Sequence, residues 1–419
     1  MREHVRVRMY NVGFGDCFLL ELPREQNTPF RVLVDCGAHK AGYPSEGWKP
    51  EVAVAQIIED ITEEGSDPTL DVVIATHRHQ DHVSGFEAEA WRDVTVGEVW
   101  LPWTEDPKDK QAAVIRNRQS RLAHGLQLAF QQPGFNQRWS GVREGKTRIE
   151  ALRALAANSL SNEAAMKTLH SGFRGNPVRR FLSTTNTKSI VAQGCENLTV
   201  HVLGPSRDPE VIRDMDPPAG QSYLRFGNGS GPAAGSAPDR PFARSFTLSP
   251  ADYESVYEGG VSEEIKAAAV SMMRDDDLAT AVSLDKAVNG TSLMLMFEFG
   301  EAFLLFPGDA QWGTWNAAMS DPDARELLAR TTFYKVGHHG SHNATPVEFV
   351  EEVLPQDENV WGTATSVHPV GFWPEIPRKE LLTELKKRSD RMVRSDKPGR
   401  SGNGVAVRST IGVDFEVPC

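Results

Sequence analysis

The chain has 419 residues, of which 39% are hydrophobic and 24% charged, and it carries a net charge of −12. Such a length holds one large domain with an insertion, or two domains, and the composition excludes a disordered chain. The acidic balance excludes binding of nucleic acid through overall basicity, and the four cysteines, Cys17, Cys36, Cys195 and Cys419, contain no C-x-x-C pair, which argues against a zinc ribbon or disulfide framework.

In chain order, MREHVRVRMY mixes charges with valines and lacks an apolar run of signal-peptide length, so a cytoplasmic location is expected. HVRVRMY places Val5, Val7 and Met9 on one face and His4, Arg6 and Arg8 on the other, the alternation of a half-buried strand. NVGFGDCFLLEL turns at Gly13 and Gly15 into a second strand, and FRVLVDCG supplies a third. VAVAQIIEDITEEG reads as a helix closed by Gly65, and LDVVIATH as a strand covered on both faces. From Thr104 to Arg180 helical spacing replaces strand alternation, as in Ile115, Leu122, Leu126, Ala129 and Phe130 and again in Ile149, Leu152, Leu155 and Leu160.

That same stretch, residues 104–180, has fourteen Lys or Arg against six Asp or Glu, so it is the chain's candidate surface for a polyanion; a solvated helical face is the equal alternative. A strand signal returns at NLTVHVLGP, a Gly/Pro/Ser/Ala-rich loop is expected over residues 217–238, and a helix over Ser262–Lys286. Strand grammar resumes with SLMLMFEFG, AFLLFPGD and TTFYKVGHHGS. The apolar run from Ser292 is broken by Glu298, Gly300 and Glu301, so two core strands are expected there and no membrane span. Residues 1–103 and 289–419 are thus expected as two halves of one domain, with 104–288 a largely helical insertion.

The chemistry concentrates in THRHQDH, Thr76 to His82, where three of the chain's twelve histidines follow a buried strand. His77 and His79 alternate and can converge on one cation, while Asp81 and His82 can reach a second. Imidazole and carboxylate suit Zn(II), Mn(II) or Fe(II), and a pair of such ions generates hydroxide and clamps a leaving oxygen. The plain alternative is a histidine-rich surface loop. One loop cannot saturate two ions, so further ligands are expected at other strand ends: Asp309, behind Gly308 in FLLFPGDA, and His338 or His339 in YKVGHHGSH.

THRHQDH matches the T-H-x-H-x-D-H signature of the metallo-β-lactamase superfamily. NVGFGDCFLL resembles its V-G-Q-G-D opening, VLVDCG its L-I-D-x-G strand end, NGTSLMLMF and AFLLFPGDA its N-x-x-S-L-V-L and L-L-x-G-D segments, and YKVGHHGSHNAT the K-V-x-H-H-G-S motif. Together with MVRSDKPG they are similar to the nuclease-like hydrolase domain of ComEC-type DNA-uptake proteins, over roughly residues 5–100 and 289–415. The resemblance implies an α/β fold, the four-layer αββα sandwich, interrupted by the insertion. It implies that His77 and His79 bind one metal, that Asp81 and His82 bind the other, and that Asp309 bridges them. His338 is then a ligand of the second metal, Asp81 also a catalytic residue, and His339 the group that meets substrate or the leaving oxygen.

One departure concerns the third histidine that many members place ahead of the bridging aspartate. Alignment on Ser292 leaves only Val288 and Asn289 there. Asn289 and His201 are the outside candidates for that role, and the first metal site is expected to be weaker or partly occupied. Ser341 and His342 are candidate phosphate contacts, Asp35 a candidate orienting group for a ligand histidine, and Asp16 and Asp35 equally candidate turn residues. The expected function is a dinuclear Zn(II) or Mn(II) hydrolase of phosphodiesters, foremost a nuclease acting on DNA or RNA, with a smaller phosphodiester as the other substrate class. An ester, lactone or amide hydrolase on the same scaffold and a non-catalytic binding module are the alternatives.

Overall fold

The structure, a computed structural model, describes residues 4–24, 28–117, 119–120, 150, 153–154, 157–158, 162–218, 220–223, 287–356, 360–371, 373–408 and 411–419. The expected helix over 262–286, most of the expected loop over 217–238 and most of the helical pattern between 118 and 161 lie outside the described residues.

Two mixed sheets form the centre. The first contains β1 (His4–Tyr10), β2 (Cys17–Leu22), β3 (Phe30–Cys36), β4 (Thr69–Ile74), β5 (Thr95–Pro102), β6 (Val178–Leu182), β14 (Val405–Arg408) and β15 (Gly412–Pro418), in the order β14-β15-β1-β2-β3-β4-β5-β6. The second contains β7 (Ser189–Ala192), β8 (Cys195–Gly204), β9 (Met294–Phe299), β10 (Ala302–Phe306), β11 (Phe333–Lys335), β12 (Gly362–Thr365) and β13 (Met392–Arg394), in the order β13-β12-β11-β10-β9-β8-β7.

Alternation along the strands makes the layers. Val5, Val7, Met9, Phe18 and Leu20 of the first sheet share one buried core with Val200, Leu295, Phe297, Leu304 and Phe306 of the second. Phe18 meets Phe306 edge-on at 5.5 Å, and Phe333 meets Phe415 at 5.1 Å, so aromatic pairs tie sheet to sheet. The opposite face of the first sheet, with Leu19, Leu33, Val73 and Val99, is covered by Val54 and Ile57 of the helix Pro50–Ile61 and by Ala165 and Leu169 of the helix Glu163–Ser171. Met294, Met296, Phe303 and Leu305 of the second sheet are covered by Trp315 and Met319 of the helix Trp312–Ser320 and by Leu381 and Leu385 of the helix Lys379–Lys386. Each fully buried side chain of this kind contributes about 1.5–3 kcal/mol. No helix among the described residues is long and apolar enough to cross a membrane.

Two features go beyond the expectations. Among the described residues of the stretch 104–288, expected as a largely helical insertion, β6 completes the first sheet, and β7 and β8 extend the second. The period of two in Leu198, Val200 and Val202, all facing the shared core, is what draws β8 into the sandwich. The arginine face of β1 is also not solvated throughout. Arg8 is buried and forms a two-pronged pair with Asp414 on β15 (2.7 and 2.9 Å) and a further pair with Asp60 (2.7 Å). The four cysteines are free thiols, three of them buried.

Strands β3 to β6 run parallel, as do β10 to β13. Parallel strands deliver their C-terminal ends to one edge, where loops collect side chains. The ends of β3, β4, β10, β11 and β12 carry Asp35, the THRHQDH loop, Asp309, the His338–His339 pair and Ser366 respectively.

Candidate metal centre

The loop after β4 is fastened on both sides. Thr76 donates its amide and its hydroxyl to Asp35, both at 2.7 Å, and its carbonyl accepts the Leu293 amide at 2.9 Å. The Asp81 carbonyl accepts the Asp16 amide at 2.9 Å. Gly37 is needed where the loop crosses, because a Cβ there would stand 2.4 Å from the His82 amide nitrogen. Three non-glycine residues here adopt positive φ, Asp35 (57°), His338 (44°) and His339 (54°), the kind of backbone strain that gathers at functional sites.

The side chains converge. Nitrogen or oxygen atoms of Asp81, His82, Asp309 and His339, all buried, lie within 4.8 Å of one another, and those of Asp16, Asp35 and His82 do likewise. His82 Nε2 is 3.3 Å from Asp309 Oδ1, and His339 Nε2 is 3.1 Å from Asp81 Oδ2. The other Asp309 oxygen, Oδ2, faces His77 Nε2 at 3.8 Å and His338 Nε2 at 3.6 Å. His77 Nε2 and His79 Nδ1 are 3.1 Å apart. Asp81 Oδ1, both oxygens of Asp309 and His82 Nε2 are buried without a hydrogen-bond partner among the described residues. Buried carboxylate oxygens rarely go unsatisfied, and a set of imidazole and carboxylate donors left open in this way fits a divalent cation. These Asp and His groups could therefore hold a metal ion.

The electrostatics of His77 and His79 agree with that fit. Burial pushes His77 well below the ordinary imidazole pKa, helped by His82, and pushes His79 down to about 4 against the pull of Asp81 and Asp309. Both are neutral at pH 7, with lone pairs available. Burial is the largest single effect on Asp81 and Asp309 and works against their ionisation, but His82 and His339 together overcome it at Asp81, and His82, His338 and His77 together at Asp309. Burial likewise opposes charge on His82, but Asp309, Asp35 and Asp81 raise it well above the usual value.

The two adjacent histidines sit differently from one another. His339 is fully buried, with Nδ1 2.8 Å from the Ser366 carbonyl oxygen and Nε2 on Asp81, so it belongs to the cluster. His338, whose side chain is 17% exposed, borders Asp309 from the other side. The left-handed backbone at both residues, with the Ser341 amide on the His338 carbonyl, turns the neighbouring rings toward different carboxylates, His338 toward Asp309 and His339 toward Asp81.

Of the remaining candidates, Asn289 is buried in the turn before β9, beside the loop, since Leu293 of that turn bonds Thr76. His201 is not brought to the site: it sits on β8 with Nε2 2.7 Å from Glu298 of β9. Ser341 donates to Asn343 at 3.0 Å, and the His342 carbonyl accepts Ser222 at 3.0 Å, so both are engaged locally.

Behind the cluster stand residues whose contacts with it motif spacing does not reveal. Lys335 is buried at the end of β11 and ion-paired with Asp16, whose carboxylate also lies 3.7 Å from His82 and 3.8 Å from His339. Burial disfavours the Lys335 charge, but Asp16 and Asp309 more than compensate and raise its pKa. Phe14 packs against the His339 ring at 4.2 Å and leads to Trp373 at 5.2 Å, with Val367 and Val370 completing an apolar flank. In the sequence Lys335 is the lysine of YKVGHHGS and Phe14 lies in NVGFGD, but neither motif states a contact with the histidines. Comparison of the sequence with protein-family models and with curated proteins finds no match.

Proposed function

We propose that this chain is a metal-dependent hydrolase of the metallo-β-lactamase type that cleaves phosphodiester bonds, with nucleic acid as the leading substrate. The observation that carries this reading is the convergence of His77, His79, Asp81, His82, Asp309 and His339 from separate strand ends into one buried cluster with open carboxylate oxygens. The resemblance of these motifs to nuclease-like domains and the basic stretch 104–180 support a phosphoester over a carbonyl substrate.

Two divalent ions, Zn(II) or Mn(II), suit the donor set. Asp81, His82, His339 and Asp309 would hold one of them. His77, His79 and His338, with Asp309, would hold the other, so that His338 would supply the donor missing ahead of Ser292. Such cations supply Lewis acidity at a phosphoryl oxygen and a lowered water pKa. The protein's own residues do the rest. Asp35 and Thr76 fix the His82 ring. Asp81 Oδ1, buried without a hydrogen-bond donor among the described residues, is free to accept a hydrogen bond from the attacking water and so orient it. Lys335 neutralises Asp16, so the carboxylate behind the cluster adds no repulsion toward an anionic substrate. Phe14 excludes water from the back of His339.

Metal analysis of the purified protein, followed by a Mn(II) and Zn(II) panel against single-stranded DNA, duplex DNA, RNA and a chromogenic phosphodiester, tests the reading. Bound metal and phosphodiester turnover, both lost in Asp309→Ala, are expected. Less than one equivalent of transition metal together with no cleavage would sink it. The apolar flank of Phe14, Val370 and Trp373 favours a second reading, hydrolysis of an ester or lactone with an apolar acyl group, and turnover of such esters alone would select it.

A further inference from the structure

The loop that bears the histidines also bears Arg78, between His77 and His79 and half-buried. Its guanidinium Nε is 3.7 Å from Glu105, in the turn that ends β5. Arg116 reaches the same turn from the other side, with Nη1 donating to the carbonyls of Thr104 and Asp106, the latter at 3.0 Å. On β6, next to β5, Arg179 donates from Nη1 to the Pro177 carbonyl at 2.6 Å and to Asn176 at 3.3 Å, while its buried Nε has no hydrogen-bond partner among the described residues.

Among the described residues Arg116 and Arg179 spend their hydrogen bonds on neutral oxygens and have no carboxylate partner. Glu105, itself buried, is the carboxylate among the described residues that faces the group, since Asp106 is turned to the Lys108 amide at 2.8 Å. His170 stands among them and adds no charge: burial lowers its pKa, and Arg116, Arg179 and Arg78 lower it further against Glu105. The segment is anchored to the metal loop, because Asn162 donates to the Arg78 carbonyl and Asn158 accepts the Asp81 amide at 3.4 Å.

We propose that Arg78, Arg116 and Arg179 form a phosphate-holding subsite beside the Asp309 cluster. It takes a second backbone phosphate of a nucleic-acid strand whose neighbouring phosphodiester lies at that cluster. The inference rests on the hydrolase reading and deepens it, because a subsite for a second phosphate selects a strand over an isolated phosphodiester. Guanidinium groups suit the role through planar, two-pronged contacts with phosphate oxygens. The local arrangement explains how an acidic chain engages a polyanion: the contact is confined to a few arginines at the mouth of the site.

The test is binding of a fluorescein-labelled single strand of about 12 nucleotides, the scale of one strand-binding groove, to the purified full chain over a series of salt concentrations. Arg116→Ala/Arg179→Ala should bind at least about tenfold more weakly, and its log–log salt slope should be shallower by about 1.4, since each lost contact to a single strand removes about 0.7. Arg116→Lys/Arg179→Lys, which keeps both charges, should retain the wild-type slope and so separates charge loss from misfolding. Equal affinity and slope in wild type and the alanine variant would overturn the subsite even if the wild type cleaves DNA. A strand bound in this arginine-dependent way but cut under none of the metal conditions would remove the hydrolase reading and leave the subsite standing.

Discussion

Asp35 Oδ2 stands 2.8 Å from His82 Nδ1, while the far nitrogen of the same ring points at Asp309 Oδ1, 3.3 Å away. A carboxylate on one ring nitrogen fixes which nitrogen is left to meet a cation, and it strengthens that nitrogen as a donor. Asp35 also takes both donors of Thr76, so it holds the ring and the start of its loop together. Asp35→Ala should weaken Zn(II) binding about 10- to 100-fold. It should also cost about 1–3 kcal/mol in stability through the orphaned Thr76 amide. Competition against a chromophoric chelator gives the affinity and urea unfolding the stability; unchanged affinity would remove Asp35 from the site.

His338 and His339 make a sharper pair of variants, because their rings approach different carboxylates, Asp309 and Asp81. If each serves a different metal position, a Zn(II) titration should resolve two binding steps in the wild type and lose a different one in His338→Ala and in His339→Ala. The affected step should weaken by about 100-fold or more, beyond the range of outer-shell changes. His338→Ala with both steps intact would return that residue to a bystander at the edge of the site.

These relationships were legible in the sequence to different depths. Strand signals foretold β1 to β4 and β8 to β10, because the period of two in segments such as Val5, Val7 and Met9 reflects burial directly. The histidine loop, Asp309 and the orienting part given to Asp35 were legible because short spacing after a buried strand constrains where side chains go. Which of two adjacent histidines enters the cluster was not, since it depends on two left-handed backbone residues that no propensity announces. Lys335 and Phe14 were hidden for another reason: they reach the site only by pairing across 319 residues, as in Lys335 with Asp16, or by crossing from the turn at Gly13 to the His339 ring.

Gly308 precedes Asp309 at φ 55°, and a Cβ there would stand 3.0 Å from the Leu293 carbonyl oxygen and 3.0 Å from the Thr76 Cβ. Both neighbours are parts of the site's own frame and have little room to yield. Gly308→Ala should therefore lower stability by about 1–3 kcal/mol, combining a left-handed backbone with a tight contact. It should also weaken metal binding by displacing Asp309. Guanidinium unfolding and the chelator assay check the two effects, and a variant as stable as the wild type would show that the contact is soft.

The pH dependence of stability is best read away from the cluster, at Glu98 on β5. Its carboxylate accepts two hydrogen bonds from Arg180 on β6, at 2.6 and 2.8 Å, and one from Trp100 Nε1 at 2.6 Å. Those bonds, Arg180 first, hold its pKa below the ordinary glutamate value against the opposing effect of burial. A depressed folded-state pKa gives stability that is fully present above the unfolded value of about 4.3 and is lost as pH falls through the folded one. With Arg180 partly open to solvent, the contribution at pH 7 should be about 1–2 kcal/mol. Glu98→Gln keeps the shape and an acceptor for Trp100 but loses the charge. Its unfolding free energy should lie below that of the wild type at pH 7, and the gap should close as the pH drops below about 4. Urea titrations of both proteins at pH 7, 5 and 3.5 measure this directly, and a gap that stays constant across that range would mean the Glu98–Arg180 pair adds nothing that depends on its charge.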